Sequence, residues 1–82
     1  MKLPVIKHLE RENSVSNLEN TLEVLESFST HRSVSDQEMD VLGELITNIS
    51  GAIEVHKMME DGISEKDAAN KFSKRVLGSI DQ

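Results

Sequence analysis

Eighty-two residues carrying a formal charge of −6 leave room for one small domain and no second core. The chain has no cysteine, which removes thiol nucleophiles, CxxC redox centres and thiolate zinc sites; its core must come from Leu, Ile, Val and Met, with Phe28 and Phe72 the only aromatics. Between Glu10 and Asp61 twelve acids stand against Arg11, Arg32 and Lys57, a balance that disfavours general nucleic-acid binding.

In chain order, the opening MKLPVIKHLE holds only a short apolar run before Lys7 and His8. This is far below a signal peptide's apolar region or the ~20 residues of a membrane span, so a cytoplasmic protein without membrane contact is expected. Pro4 suits the first position of a short helix to about Glu12, with Leu3, Val5, Ile6 and Leu9 on one side. A brief strand at Leu3 to Ile6 is the competing reading, but no second alternating segment exists to pair with it. Asn13, Ser14 and Ser16 interrupt the pattern, and Ser16 with Glu19 forms an S-x-x-E capping box ahead of a second helix to about Ser29. Its stripe is Val15, Leu18, Leu22, Leu25 and Phe28, broadened by Val24, with Glu19, Glu23 and Glu26 toward water. The polar segment STHRSVS, Ser29 to Ser35, is a loop short enough to fold the next helix back antiparallel.

From Ser35 to Gly62 runs the stretch that sets the architecture. Ser35 and Glu38 form a second capping box, and Val34 and Met39 sit where a hydrophobic staple would clamp the entry. Gly62, followed by Ile63, supplies a left-handed stop. The helix between, Asp36 to Asp61, should be roughly 39 Å long, beyond the roughly 30 Å diameter of a compact chain this size. Met39, Val41, Leu42, Leu45, Ile46, Ile49, Ala52, Ile53, Val55, His56 and Met59 spread over roughly 200° of its wheel, twice the minimum apolar stripe. Gly43, Thr47, Ser50 and Gly51 lie opposite; each mid-helix glycine costs about 0.8–1 kcal/mol, which suggests the close approach of another backbone, the bland alternative being a tolerated surface. A third box, Ser64 with Asp67, opens a fourth helix with Ile63 and Ala68 as its staple. Ala68, Ala69, Phe72, Val76, Leu77 and Ile80 make its buried face, Lys71, Lys74 and Arg75 point outward, and Gly78 marks a place to end or fray.

The expectation is therefore an all-α, single-domain protein: four helices, one of them long and central (about 36–61), in a dimer that covers the excess apolar arc. Leu42, Ile46, Ile49, Ile53, His56, Phe72 and Val76 are the expected interface residues. His56 and Glu60, four apart, could serve as metal ligands or an acid/base pair, but no Glu-x-x-His motif accompanies them. A histidine among apolar residues is more often a hydrogen-bonded core or interface group. Lys71, Lys74 and Arg75 could meet phosphate, yet without interleaved aromatics they read as a solvated face balancing the acidic helices. Asn48-Ile49-Ser50 matches a glycosylation sequon, by chance at mid-helix, and the four dispersed glycines form no phosphate loop. Met58, Met59 and Met39 could form an adaptable surface, with core filling the commoner role. No catalytic residue and no cofactor are expected.

Three segments, MKLPVIKHLE, GELITNISGAIEVHKMMEDG and KFSKRVLGSID, resemble a family of short, uncharacterised bacterial proteins, with Arg11 to Ser33 the least similar stretch. The resemblance implies a small soluble cytoplasmic helical protein and lends no catalytic residue to any position. Such proteins also resemble companions of thioredoxin and peroxiredoxin systems. Lacking cysteine, this chain would be a partner there and never the redox centre. The leading expectation is a non-enzymatic interaction or adaptor module, self-associating; the runner-up is a metal-dependent or acid/base enzyme using His56 and Glu60.

Overall fold

Four helices make up the structure, a computed structural model that describes residues 2–80 and the side chains of residues 2–77. They are α1 (Leu3–Glu12), α2 (Val15–Ser29), α3 (Asp36–Glu60) and α4 (Glu65–Ile80), and no strand occurs among the described residues. Each boundary has a local chemical cause. Pro4 sits in the first turn of α1, where its missing N–H costs nothing. Asn13 ends α1, its side-chain amide donating to the Leu9 carbonyl at 3.1 Å.

The start of α2 corrects the sequence reading. Ser14, two residues before the expected Ser16, is the cap, its hydroxyl accepting from the Asn17 N–H at 3.1 Å. The earlier start makes Val15 the first residue of the helix, and it packs against the core. Ser35 and Glu38 form the full reciprocal box at the start of α3: the Ser35 N–H donates to Glu38 Oε1 at 2.9 Å, and the Glu38 N–H donates to Ser35 Oγ at 3.2 Å. At the other end Gly62 has φ +94°, its N–H donates to the Met59 carbonyl at 3.0 Å, and the Ile63 N–H reaches the Met58 carbonyl at 3.2 Å. This pair of bonds is the Schellman arrangement, open to glycine because it has no Cβ to clash in the left-handed region. The Asp67 N–H donates to Ser64 Oγ at 3.2 Å to start α4, which passes through Gly78 to Ile80 instead of ending there. One glycine lowers helix propensity by about 1 kcal/mol and does not forbid the conformation.

All three short helices pack on α3, and α1 also meets α4. The first pairing has a constant register of 46 residues: the Lys2 N–H donates to Asn48 Oδ1 at 2.9 Å, and Glu10 Oε1 lies 3.0 Å from His56 Nδ1. A constant offset means that α1 and α3 run parallel. Grooves join Leu25 and Phe28 to Val41 and Leu45, and Glu19 to Ile53 and Glu54, so α2 runs antiparallel to α3 as expected from the short loop. The main core is Ile6, Leu18, Ile49, Ala52, Ile53, Val55, Ala68, Ala69 and Phe72, with Met58 and Met59 packed against it. Met58 and Met59 thus fill the core; Met39 is exposed.

Asn48 is buried, yet both ends of its amide are used: Oδ1 by Lys2 and Nδ2 toward the Glu44 carbonyl at 3.0 Å. The sequon asparagine is thus a fixed part of the α1–α3 joint, satisfying a donor at the start of α1 that no side-chain cap serves. At the far end of α1, Arg11 forms a two-pronged pair with Glu65, Nε to Oε2 at 2.8 Å and Nη2 to Oε1. The hydrogen bond and charge of Arg11 hold the Glu65 carboxyl below its ordinary value of 4.5, and backbone and hydroxyl bonds at Ser35 do the same for Glu38. A carboxylate with a lowered folded pKa stabilises the protein fully above its unfolded value and loses that contribution as pH falls through the folded one. Urea midpoints should therefore drop as pH is lowered below 4.5, and Glu65→Gln should flatten that drop while also lowering the midpoint at neutral pH. An unchanged acid slope in the variant would show that the pair is too solvated to matter.

The glycines of α3 divide sharply. A Cβ on Gly51 would stand 2.8 Å from Ile6 Cδ1 and 2.9 Å from Phe72 Cε2, whereas nothing lies within 4 Å of one on Gly43. Gly51 does mark a close approach, by two side chains and not by another backbone. Gly43 marks none. Gly43→Ala should accordingly stabilise the protein by about 0.8–1 kcal/mol, raising Tm by roughly 4–8 °C on a thermal melt.

Candidate interaction surface

Short α1 leaves long α3 half covered. Lys2, at the head of α1, is level with Asn48 and reaches back to Glu44 with its ammonium at 3.5 Å, so the first turns of α3, from Asp36, extend beyond the backbone of α1. At 100° per residue Val41 and Leu45 lie close to the line of Ala52 and Met59. Higher up that line is closed over, and Ala52 is fully buried. Lower down it is open, leaving Val41 61% and Leu45 47% exposed. Phe28, at the end of α2, is 48% exposed beside them.

These residues frame a groove of about 430 Å³ between the last turns of α2 and the first turns of α3, floored by Leu25 and Leu42. Gln37 and Glu38 are its polar members, and the Glu38 carboxylate is held by the Ser35 N–H. The flank of α2 leading away from it, Asn17, Thr21, Val24 and Phe28 at spacings of four, three and four, carries no charge. Glu19, Glu23 and Glu26 lie on the other flank, along a second cleft with Glu54. Val24, expected to broaden the core stripe, is 68% exposed on this neutral flank.

Of the expected interface residues, Leu42 floors this groove. Leu42, Ile49, Ile53 and Phe72 are buried within the chain, and Ile46, His56 and Val76 are half-buried. The apolar arc of α3 was legible in the sequence, but which part of it neighbours leave open depends on where α1 begins along α3. Leu77, expected inside, is exposed on α4, and Ile80 lies outside the described side chains.

His56 sits between two carboxylates, Glu10 at 3.0 Å from Nδ1 and Glu60 at 3.4 Å from Nε2. Glu10 is only 8% exposed at its side chain, and sequence reasoning missed it. A signal was present: Leu3, Ile6 and Glu10 follow helical spacing, which puts a carboxylate in the apolar stripe of α1 where it needs a partner. The arrangement ties the end of α1 to α3. No group of three or more His, Cys, Asp or Glu side chains among the described residues has a metal-holding geometry. Of the basic trio, Arg75 pairs with Glu54 at 3.2 Å and lies over the Phe72 ring at 5.7 Å, while Lys71 and Lys74 are exposed. Among the described residues no helix is long and apolar enough to cross a membrane.

A family model matches residues 1–81, described as a family of unknown function, DUF6952. The chain belongs to the DUF6952 family. No curated protein and no solved structure matches it. In this DUF6952 protein the matched span takes in all four helices, so the half-covered α3 and its groove lie within the family's own boundaries.

Proposed function

We propose that this DUF6952 protein is a non-enzymatic, cytoplasmic protein–protein interaction module that works through self-association. One observation carries the reading: the largely apolar groove where α2 and α3 run on past the end of α1, with Glu38 its one acidic member. Depletion of charge at a patch containing an aromatic and several aliphatic side chains is the compositional mark of an interface centre. A single exposed Leu would mean little, but Phe28, Val41 and Leu45 are contiguous around one groove in a chain that is 29% charged.

Light scattering at micromolar concentration tests it. The expected result is a mass near twice 9.2 kDa, and Val41→Glu should return the protein to a single 9.2 kDa species with its helical circular dichroism intact. A wild-type protein that stays at 9.2 kDa at high micromolar concentration would remove the self-association reading.

A further inference from the structure

We propose that α1 is a proton-operated latch: uptake of a proton by His56 fastens the end of α1 to α3, and loss of that proton frees it. The inference goes beyond the self-association proposed above and does not depend on it, since it concerns a joint within one chain.

The chemistry of the ring is the first support. Nδ1 of His56 lies 3.0 Å from Glu10 Oε1 and Nε2 lies 3.4 Å from Glu60 Oε1, so each ring nitrogen faces a carboxylate oxygen. An ionised carboxylate only accepts, and a neutral imidazole carries one N–H where the imidazolium carries two. Only the doubly protonated ring can therefore donate to both partners at once. With a single ring proton, one nitrogen turns its lone pair toward a carboxylate. The two partners differ in weight. Glu60 is exposed one turn further along α3 and its attraction is screened by water, whereas the Glu10 side chain is only 8% exposed and, so enclosed, needs the partner that His56 supplies.

The other joints of α1 keep their charge state near neutral pH. At its head the Lys2 N–H donates to Asn48 Oδ1, a pairing of amides with nothing to titrate, and Lys2 Nζ lies 3.5 Å from Glu44. Toward α4, Arg11 is bonded to Glu65, and that pairing, with the charge of Lys7 nearby, holds the Glu65 carboxyl below its ordinary value of 4.5. Arg11 in turn feels the charge of Glu10. The charged groups around the ring thus form a chain among the described residues, from Glu60 and His56 of α3 through Glu10 and Arg11 of α1 to Glu65 of α4. The acids of α2 stand outside it: Glu19, Glu23 and Glu26 line the cleft with Ser50, Ile53 and Glu54, of which His56 is no part. Within such a chain the imidazole is the one side-chain type that ordinarily changes charge around neutral pH.

The consequence reaches the core. Ile6, midway along α1, lies over Gly51 of α3, with the Asn48 joint on one side of it and the His56 joint on the other. Opening the His56 end lets α1 lift and uncovers the Gly51 side of α3. Because the docked form binds the proton more tightly than the open one, lowering the pH through the imidazole range favours docking.

Hydrogen exchange read helix by helix tests the latch. In the wild type, protection of the α1 amides, corrected for the intrinsic pH dependence of exchange, should fall about tenfold from about pH 6 to about pH 8, the loss expected when a charge-assisted bond goes. That window lies above the one in which Glu38 and Glu65 lose their contributions. At the higher pH α1 should exchange faster than α3. His56→Gln keeps an amide N–H for Glu10 but takes up no proton, so its α1 protection should be equal at the two pH values although His8 and His31 remain. Equal wild-type protection at both would overturn the proposal, and that measurement decides even if the variant fails to fold. A pH response that persists in His56→Gln would overturn it as well. So would α1 exchanging in step with α3 throughout, which would show that α1 leaves only when the whole domain unfolds.

Discussion

Replacing Gly51 with valine is expected to cost about 3 kcal/mol, the upper end of the overpacking range, and to lower Tm by roughly 12–24 °C. The first added carbon alone would stand 2.8 Å from Ile6 Cδ1 and 2.9 Å from Phe72 Cε2, closer than carbon atoms sit. Any retreat of either neighbour must be taken up inside the core. Ile6 is fully buried, Phe72 is nearly so, and the two belong to the same core cluster. Valine would recover a few tenths of a kcal/mol of helix propensity over glycine, an order of magnitude short of the steric cost. Urea denaturation followed by circular dichroism measures the balance. A midpoint at or above wild type would mean that α1 and α4 can move apart freely, contrary to a close-packed centre.

Phe72→Ala should be at least as damaging, at roughly 3–5 kcal/mol. An 82-residue domain has only about 4–12 kcal/mol in total, so this variant is expected to be partly unfolded at 25 °C. The ring fills the space above Gly51 and carries the Arg75 guanidinium, which lies 5.7 Å from its centroid and bonds Glu54 of α3. Its loss therefore removes core volume and loosens the outer contact between α4 and α3 together. The milder Phe72→Leu allows a coupling measurement: Gly51→Ala should cost less in that background by about 0.5–3 kcal/mol, the range for residues in contact. Additive costs would show that the ring does not press on the glycine.

Both effects come from the level where α1, α3 and α4 meet, which has a different task from the groove below it. Upper α3 is buried at Asn48, Ile49, Gly51, Ala52, Ile53 and Val55; lower α3 leaves Val41 and Leu45 of its apolar line open. The division follows from length. Ten residues of α1 span about 15 Å and twenty-five of α3 about 37 Å, so one short helix cannot cover both halves.

Local signals in the sequence determined the four helices almost to the residue. The Ser35–Glu38 box, the Ser64 cap, Pro4 and Gly62 act through bonds and torsions spanning only a few positions, and no distant contact is needed to read them. Ser16 failed as a cap because Ser14 offers the same chemistry two residues earlier. The breadth of the apolar arc on α3 was equally legible, since periodicity alone places those side chains. Three things were decided only by tertiary structure: that Gly51 and not Gly43 lies under its neighbours, that Glu10 meets His56, and that Val41, Leu45 and Phe28 stay open while Leu42, Ile49, Ile53 and Phe72 are enclosed. Each depends on the 46-residue offset at which α1 lies along α3. That offset arises from one hydrogen-bonded asparagine, one carboxylate–imidazole pair and the fit of Ile6 over a glycine. Pairings between residues far apart in the chain have no period to betray them, so the open half of α3 could be known only once the helices were in place.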